Sequence, residues 1–131
     1  MMKRYVVRVT LFGLILAMMV GCASTPVASD ATPGTVFEQP IVQVQKAAVD
    51  ALVVTGFDVA KQELTYVEGF RPRKIGLFVG SGGETVGIWL TEQGPNQTAV
   101  KVDTARSLAG IVGQKIWNTD IMNEMTKSLT K

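Results

Sequence analysis

The sequence predicts an α+β fold: a two-layer domain with an antiparallel sheet of about four strands and two helices on one face, in the order α-β-β-β-β-α. Three observations carry this. Apolar residues recur at spacings of three and four in two separate stretches, residues 40–55 and 117–129. Between them lie short stretches with the period-two alternation of half-buried strands. Gly94-Pro95-Asn96 then joins the last two of these as a turn, which makes them an antiparallel hairpin.

The first helix is expected over Pro40–Thr55. Pro40 suits the first helical position, where a missing N–H costs nothing. Ile41, Val44, Ala48, Ala51, Leu52 and Thr55 share one side, with Gln43, Gln45, Lys46 and Asp50 largely elsewhere. Gly56 ends it as a left-handed residue, and Phe57 folds back on the last turn. Strands are expected at Phe57–Gln62, Thr65–Arg71, Thr85–Glu92 and Gln97–Thr104. In the third, Val86, Ile88 and Leu90 share a face and Trp89 lies opposite, either toward water or under a second layer or the N-terminal tether.

The final helix is expected within Trp117–Leu129. Trp117, Ile121, Met125 and Leu129 repeat every four residues, flanked by Ile116 and Met122. Asn118 is placed to cap its start, Asp120 lies in the first turn, and Lys127 and Lys131 complement the dipole at its end. In element order alone, the domain is similar to small lipoprotein domains of α/β type, including helix-grip domains of some barrel-assembly lipoproteins. No function or residue role follows from that similarity.

Ahead of this domain the composition changes. Residues 1–21 carry Lys3, Arg4 and Arg8 and no acid, whereas the remainder holds ten basic and eleven acidic groups. The basic pI therefore belongs to the leader, and no nucleic-acid partner is expected. Val9–Val20 is a 12-residue run without charge. That suits the apolar region of an export signal and falls short of the ~20 residues a membrane-spanning helix needs.

The run ends Met18-Met19-Val20-Gly21-Cys22, and Cys22 is the only cysteine. This segment resembles a bacterial lipobox. The resemblance implies cleavage between Gly21 and Cys22, a diacylglyceryl thioether on the Cys22 sulfur, and often an acyl chain such as palmitate on the new amino group. Two or three acyl chains, at about 0.8 kcal/mol per buried CH₂, make a stable anchor. Ala23 follows Cys22, where aspartate would favour the inner membrane, so the resemblance implies the outer membrane with the domain facing the periplasm.

The organisation expected is thus a signal peptide at 1–21, a lipidated N-terminus and flexible tether at 22–36, and a small envelope domain at 37–131. The tether assignment rests on Pro, Ser, Thr, Ala and Gly without apolar periodicity, with a reach of at most roughly 45–50 Å.

Candidate chemistry is sparse. The chain has no histidine, and lipid would consume its one thiol. That removes His-based nucleophile pairs and cysteine-rich zinc sites, so no catalytic residue, metal or cofactor is expected. Glu68, Glu84 and Glu92 lie near strand ends without the spacing of a paired acid and base, and read as solvated.

Gly76–Gly83 reads Gly-Leu-Phe-Val-Gly-Ser-Gly-Gly, close behind Arg71, Arg73 and Lys74. Gly80, Gly82 and Gly83 permit N–H groups to converge on a phosphate or carboxylate. The same stretch also reads as a plain connection, or as a partner-binding loop. It fits neither the Walker pattern nor the dinucleotide fingerprint, which would need glycine at Thr85. An interaction patch is expected at Trp89 if exposed, or at Leu108, Ile111 and Val112 if these are not core.

The function expected is a lipid-anchored, non-enzymatic binding or scaffolding module. Its partners are the membrane, through Cys22, and an envelope protein or glycan. The alternative is a small-ligand or anion-binding domain using the glycine-rich loop.

Overall fold

One helix connects the two opposite edges of a sheet, and that sets the layout. The computed structural model describes residues 25–30, 32–72, 74–75, 80–81, 83–106 and 114–131. The elements in order are β1 (Gly34–Phe37), α1 (Ile41–Val54), β2 (Asp58–Gln62), β3 (Tyr66–Phe70), β4 (Lys74–Ile75), β5 (Gly80–Ser81), β6 (Thr85–Gly94), β7 (Gln97–Ala105) and α2 (Asn118–Leu129). The sheet runs β1-β7-β6-β3-β2, antiparallel throughout, and β4 and β5 form a separate two-stranded ribbon. α1 leaves one edge strand and delivers the chain to the other. Its 14 residues cover about 21 Å at 1.5 Å per residue, close to the roughly 19 Å across a sheet of this width.

The class is α+β, and the sheet has five strands rather than about four. The additional strand is β1, of which Gly34, Thr35 and Val36 fall in the stretch assigned by composition to the tether. Four residues are too few for alternation to show in sequence. Pairing makes them a strand: Gly34–Phe37 lie antiparallel to Thr98–Lys101. Thr98 is fully buried, and its hydroxyl donates to the Gln39 carbonyl at 2.9 Å, fixing the turn into α1.

α1 begins one residue later than expected, with Pro40 as its flanking residue at ψ 147°. The Pro40 carbonyl still accepts the first helical bond, from Val44 N–H at 3.1 Å. Ile41, Val44, Ala47, Ala48, Ala51 and Leu52 are buried. Thr55, expected on that stripe, is half-buried and turns its hydroxyl back to the Ala51 carbonyl at 2.7 Å. The helix ends as the sequence implies. Gly56 has φ +89° and donates to Val53 O at 3.1 Å, and Phe57 donates to Leu52 O at 2.9 Å, both bonds of a Schellman closure.

A methyl group at Gly56 would meet no atom within 4 Å. Gly56→Ala therefore costs only the backbone penalty of a left-handed residue, about 1–2 kcal/mol. Urea denaturation should show that loss with an unchanged m-value, and an unshifted midpoint would contradict this account of the helix end.

The inward faces of the strands supply Val67, Val86, Ile88, Leu90, Val100 and Val102, all buried. These join the buried residues of α1 and Ile121 and Met125 of α2 in one cluster. Both helices thus pack on the same side of the sheet. Trp117, Met122 and Leu129 pack at the margin of that cluster, while Ile116, expected beside them, is 57% exposed. Asn118 does not cap α2. It is the first helical residue, and its amide oxygen accepts the Thr104 hydroxyl at 2.7 Å, a tertiary bond that replaces the local one. Asp120 and Lys127 occupy the first and last turns as expected. Among the described residues no helix is long and apolar enough to cross a membrane.

Candidate functional site

Anion binding by the glycine-rich segment would require Arg71, Arg73 and Lys74 to meet Gly80, Gly82 and Gly83. The backbone brings two of these into one ribbon, with Lys74 opposite Ser81 and Ile75 opposite Gly80. Arg71 goes elsewhere. Its N–H donates to Glu84 O at 3.0 Å, and its carbonyl accepts Gly83 N–H at 2.7 Å, extending the β3–β6 pairing. One N–H of the would-be cradle is therefore committed to the backbone. The Arg71 guanidinium carbon lies 4.7 Å from the centre of the Trp117 ring, turned toward α2. Arg73 and Gly82 lie outside the described residues.

Trp117 organises this end of the sheet. Its ring also has the Lys115 ammonium 4.3 Å from its centre, and Phe57 meets it edge-on at 5.4 Å and 87°. The backbone N–H of Trp117 donates to the Thr104 hydroxyl at 3.0 Å. Cations on an indole face are worth about 0.5–1 kcal/mol each where exposed. The arrangement fixes the chain's entry into α2, with Phe57 after α1, Arg71 after β3 and Thr104 of β7 all contributing.

Glu84 corrects a sequence expectation. It reads as a solvated carboxylate and is in fact completely buried. Its Oε1 accepts Lys115 N–H at 3.2 Å, and Oε2 has no hydrogen-bond partner among the described residues. The alternation of β6 explains the placement, because Glu84 shares the inward phase of Val86, Ile88 and Leu90. Glu68 is half-buried and Glu92 exposed, so the three acids form no cluster. No group of three potential metal-ligating side chains occurs among the described residues.

On the opposite face of the sheet, Trp89 is half-buried rather than open to water. Its ring lies over Gly87, where an added Cβ would stand 2.6 Å from Trp89 Cη2 and 2.9 Å from Pro26 Cβ. Pro26 is buried in that position. Val27 N–H reaches Asp103 Oδ2 at 3.4 Å, and Lys101 Nζ reaches the Ser29 carbonyl at 3.3 Å. A stretch read as free tether thus lies across the sheet. Leu108, Ile111 and Val112, the other half of the expected patch, lie outside the described residues, as do Gly21 and Cys22.

Tyr66 stands opposite Trp89 in register, with ring centres 5.2 Å apart. Its hydroxyl donates to Glu68 Oε2 at 2.5 Å, and the Lys61 ammonium lies 5.5 Å from its ring. Burial, then the Glu68 hydrogen bond and charge, then the Glu63 charge, push the phenol well above its ordinary value of 10. Folding therefore favours the protonated phenol. That contribution is complete below pH 10 and is lost as pH rises through the folded-state value. In a Tyr5→Phe chain Tyr66 is the sole tyrosine. Its tyrosinate absorbance should appear well above pH 10 while folded, and a transition at 10 would contradict the contact.

Sequence reasoning missed Pro26, Gly87 and Tyr66 as a unit. Gly87 within a strand pattern is a signal of close approach by another group, but docking of Pro26 depends on a contact distant in sequence and leaves no local trace. Among the described residues an open groove of about 480 Å³ also runs between the C-terminal ends of the helices, lined by Asp50, Val54, Glu124, Lys127 and others. None of the expected site residues lines it. In comparisons with known proteins, no family model and no curated protein matches the chain.

Proposed function

We propose that this chain is a lipid-anchored cell-envelope protein whose domain is a non-enzymatic binding or scaffolding module facing the periplasm. The carrying observation is the order of features at the N-terminus: three basic residues, a 12-residue uncharged apolar run, and the single cysteine directly after Val20-Gly21. Each has a distinct physical task, namely retention of the start of the chain, insertion, and covalent attachment of lipid.

The domain adds support on its helical side. Val42, Val53 and Val54 of α1 are 63%, 59% and 70% exposed, leaving apolar surface for a partner. The anion-binding alternative has no comparable support, since the Arg71 side chain and Gly83 N–H are both engaged within the domain.

A photo-crosslinking residue at Val42 or Val53 of the intact lipoprotein, activated in cells, tests the module. A recurrent adduct with one envelope protein or glycan is expected. Adducts only with cytoplasmic proteins would overturn the reading.

A further inference from the structure

We infer that the face of the sheet opposite the helices lies against the phospholipid surface that holds the anchor, with the helices turned away from the membrane. This rests on the anchored reading above and adds an orientation to it. Its own evidence is the docked N-terminal segment. Cys22 stands four residues before Pro26, so the anchored residue is at most roughly 14 Å from Pro26. Pro26 is seated over Gly87 of β6, the central strand of the sheet.

From there a leash of that length passes the roughly 10 Å to either edge strand but does not carry the anchor round to the helical layer behind. Docking of Pro26–Ser29 has removed most of the tether's reach. What remains presents one face to the bilayer.

The chemistry of that face suits a headgroup region. Trp89 and Tyr66 pair on it, Phe70, Val36 and Val27 are 43%, 47% and 68% exposed, and Lys61 and Lys101 stand among them. Tryptophan and tyrosine concentrate at membrane–water interfaces, and lysines there are drawn to anionic headgroups. Of the acids on this face, Glu68 is occupied by the Tyr66 hydroxyl and Asp103 by Val27 N–H, while Glu63 pairs with Lys61 at 3.2 Å and Asp58, opposite Phe70, is exposed. The exposed valines of α1 are the competing apolar surface, and they lie on the far layer.

The test uses the full lipidated protein, purified from membranes and reconstituted into vesicles of phosphatidylethanolamine and phosphatidylglycerol containing a photoactivatable phospholipid. Lipid adducts are expected at Val36, Tyr66, Phe70 or Trp89, and none at Val42, Val53 or Val54. A second measurement uses brominated lipid and Trp117→Phe protein, in which Trp89 is the one remaining tryptophan. Its emission should be quenched, while Trp117 in a Trp89→Phe protein keeps its emission.

Protein that floats with vesicles but is labelled on α1, or whose Trp89 is not quenched, overturns the orientation and leaves the anchor intact. Protein that carries no lipid and does not float overturns the anchor and the orientation with it. Crosslinking of Trp89 to a co-purified protein instead of lipid assigns the face to that partner and also rejects the proposal.

Discussion

Gly69→Val should cost the domain about 3 kcal/mol or more, the upper range for overpacking a filled core. Gly69 lies on the inward face of β3, directly against Leu52 of α1. A Cβ there would stand 2.7 and 3.1 Å from the two Leu52 methyls and 3.1 Å from Phe57 Cβ. Leu52 and Phe57 are 0% and 3% exposed, so neither has open space into which to move. Valine adds two further methyls to that overlap.

Either α1 lifts from the sheet or β3 leaves its register, and both open the core cluster. Small domains hold only about 5–15 kcal/mol in total, so unfolding should occur at a much lower urea concentration. Leu52→Ala alone should cost about 2–5 kcal/mol by leaving a cavity. Combined with Gly69→Val it should cost less than the sum, because the truncated side chain makes room for the new one. A Gly69→Val protein within about 0.5 kcal/mol of the parent would contradict the close approach of α1 to β3.

Cys22→Ser should abolish attachment altogether. The sulfur is the atom the lipobox resemblance assigns to the thioether, and no second cysteine can take its place. A single acyl chain holds a protein only marginally, whereas two or three at about 0.8 kcal/mol per CH₂ hold it firmly. Loss of all of them should remove labelled palmitate from the protein and remove the protein from the outer-membrane fraction. Serine-containing protein that still incorporates palmitate, or fractionates unchanged, would reject the anchor. The core cluster is built from residues between Phe37 and Met125, so the unfolding transition of the domain should not move.

The elements most legible in the sequence were those stabilised by local pattern. The stripe of α1, its closure by Gly56 and Phe57, the alternation of β6 and the Gly94-Pro95-Asn96 turn can each be read within a few residues. β1 was not legible because four residues become a strand only through the edge that β7 offers. Asn118 was misread as a cap because Thr104, fourteen residues away, takes its side chain.

Glu84 is the instructive case. The alternation that identified Val86 and Ile88 as inward also placed Glu84 inward, but its charge argued for water. Position in the pleat outweighed charge, with Lys115 N–H supplying one hydrogen bond. Of the expected sites, Trp89 lies on the expected face, and of the covers open to it in the sequence the N-terminal tether is the one found, through Pro26, although composition gives that tether no fixed position. Docking of a linker is a tertiary contact. No spacing rule reports it.

The intact mass of the native protein, extracted with detergent from the envelope, tests the anchored account most directly. A chain beginning at residue 22 with the added mass of a diacylglyceryl group, alone or with one further acyl chain, is the predicted result. A mass that includes residues 1–21, or an unmodified thiol at position 22, would contradict it.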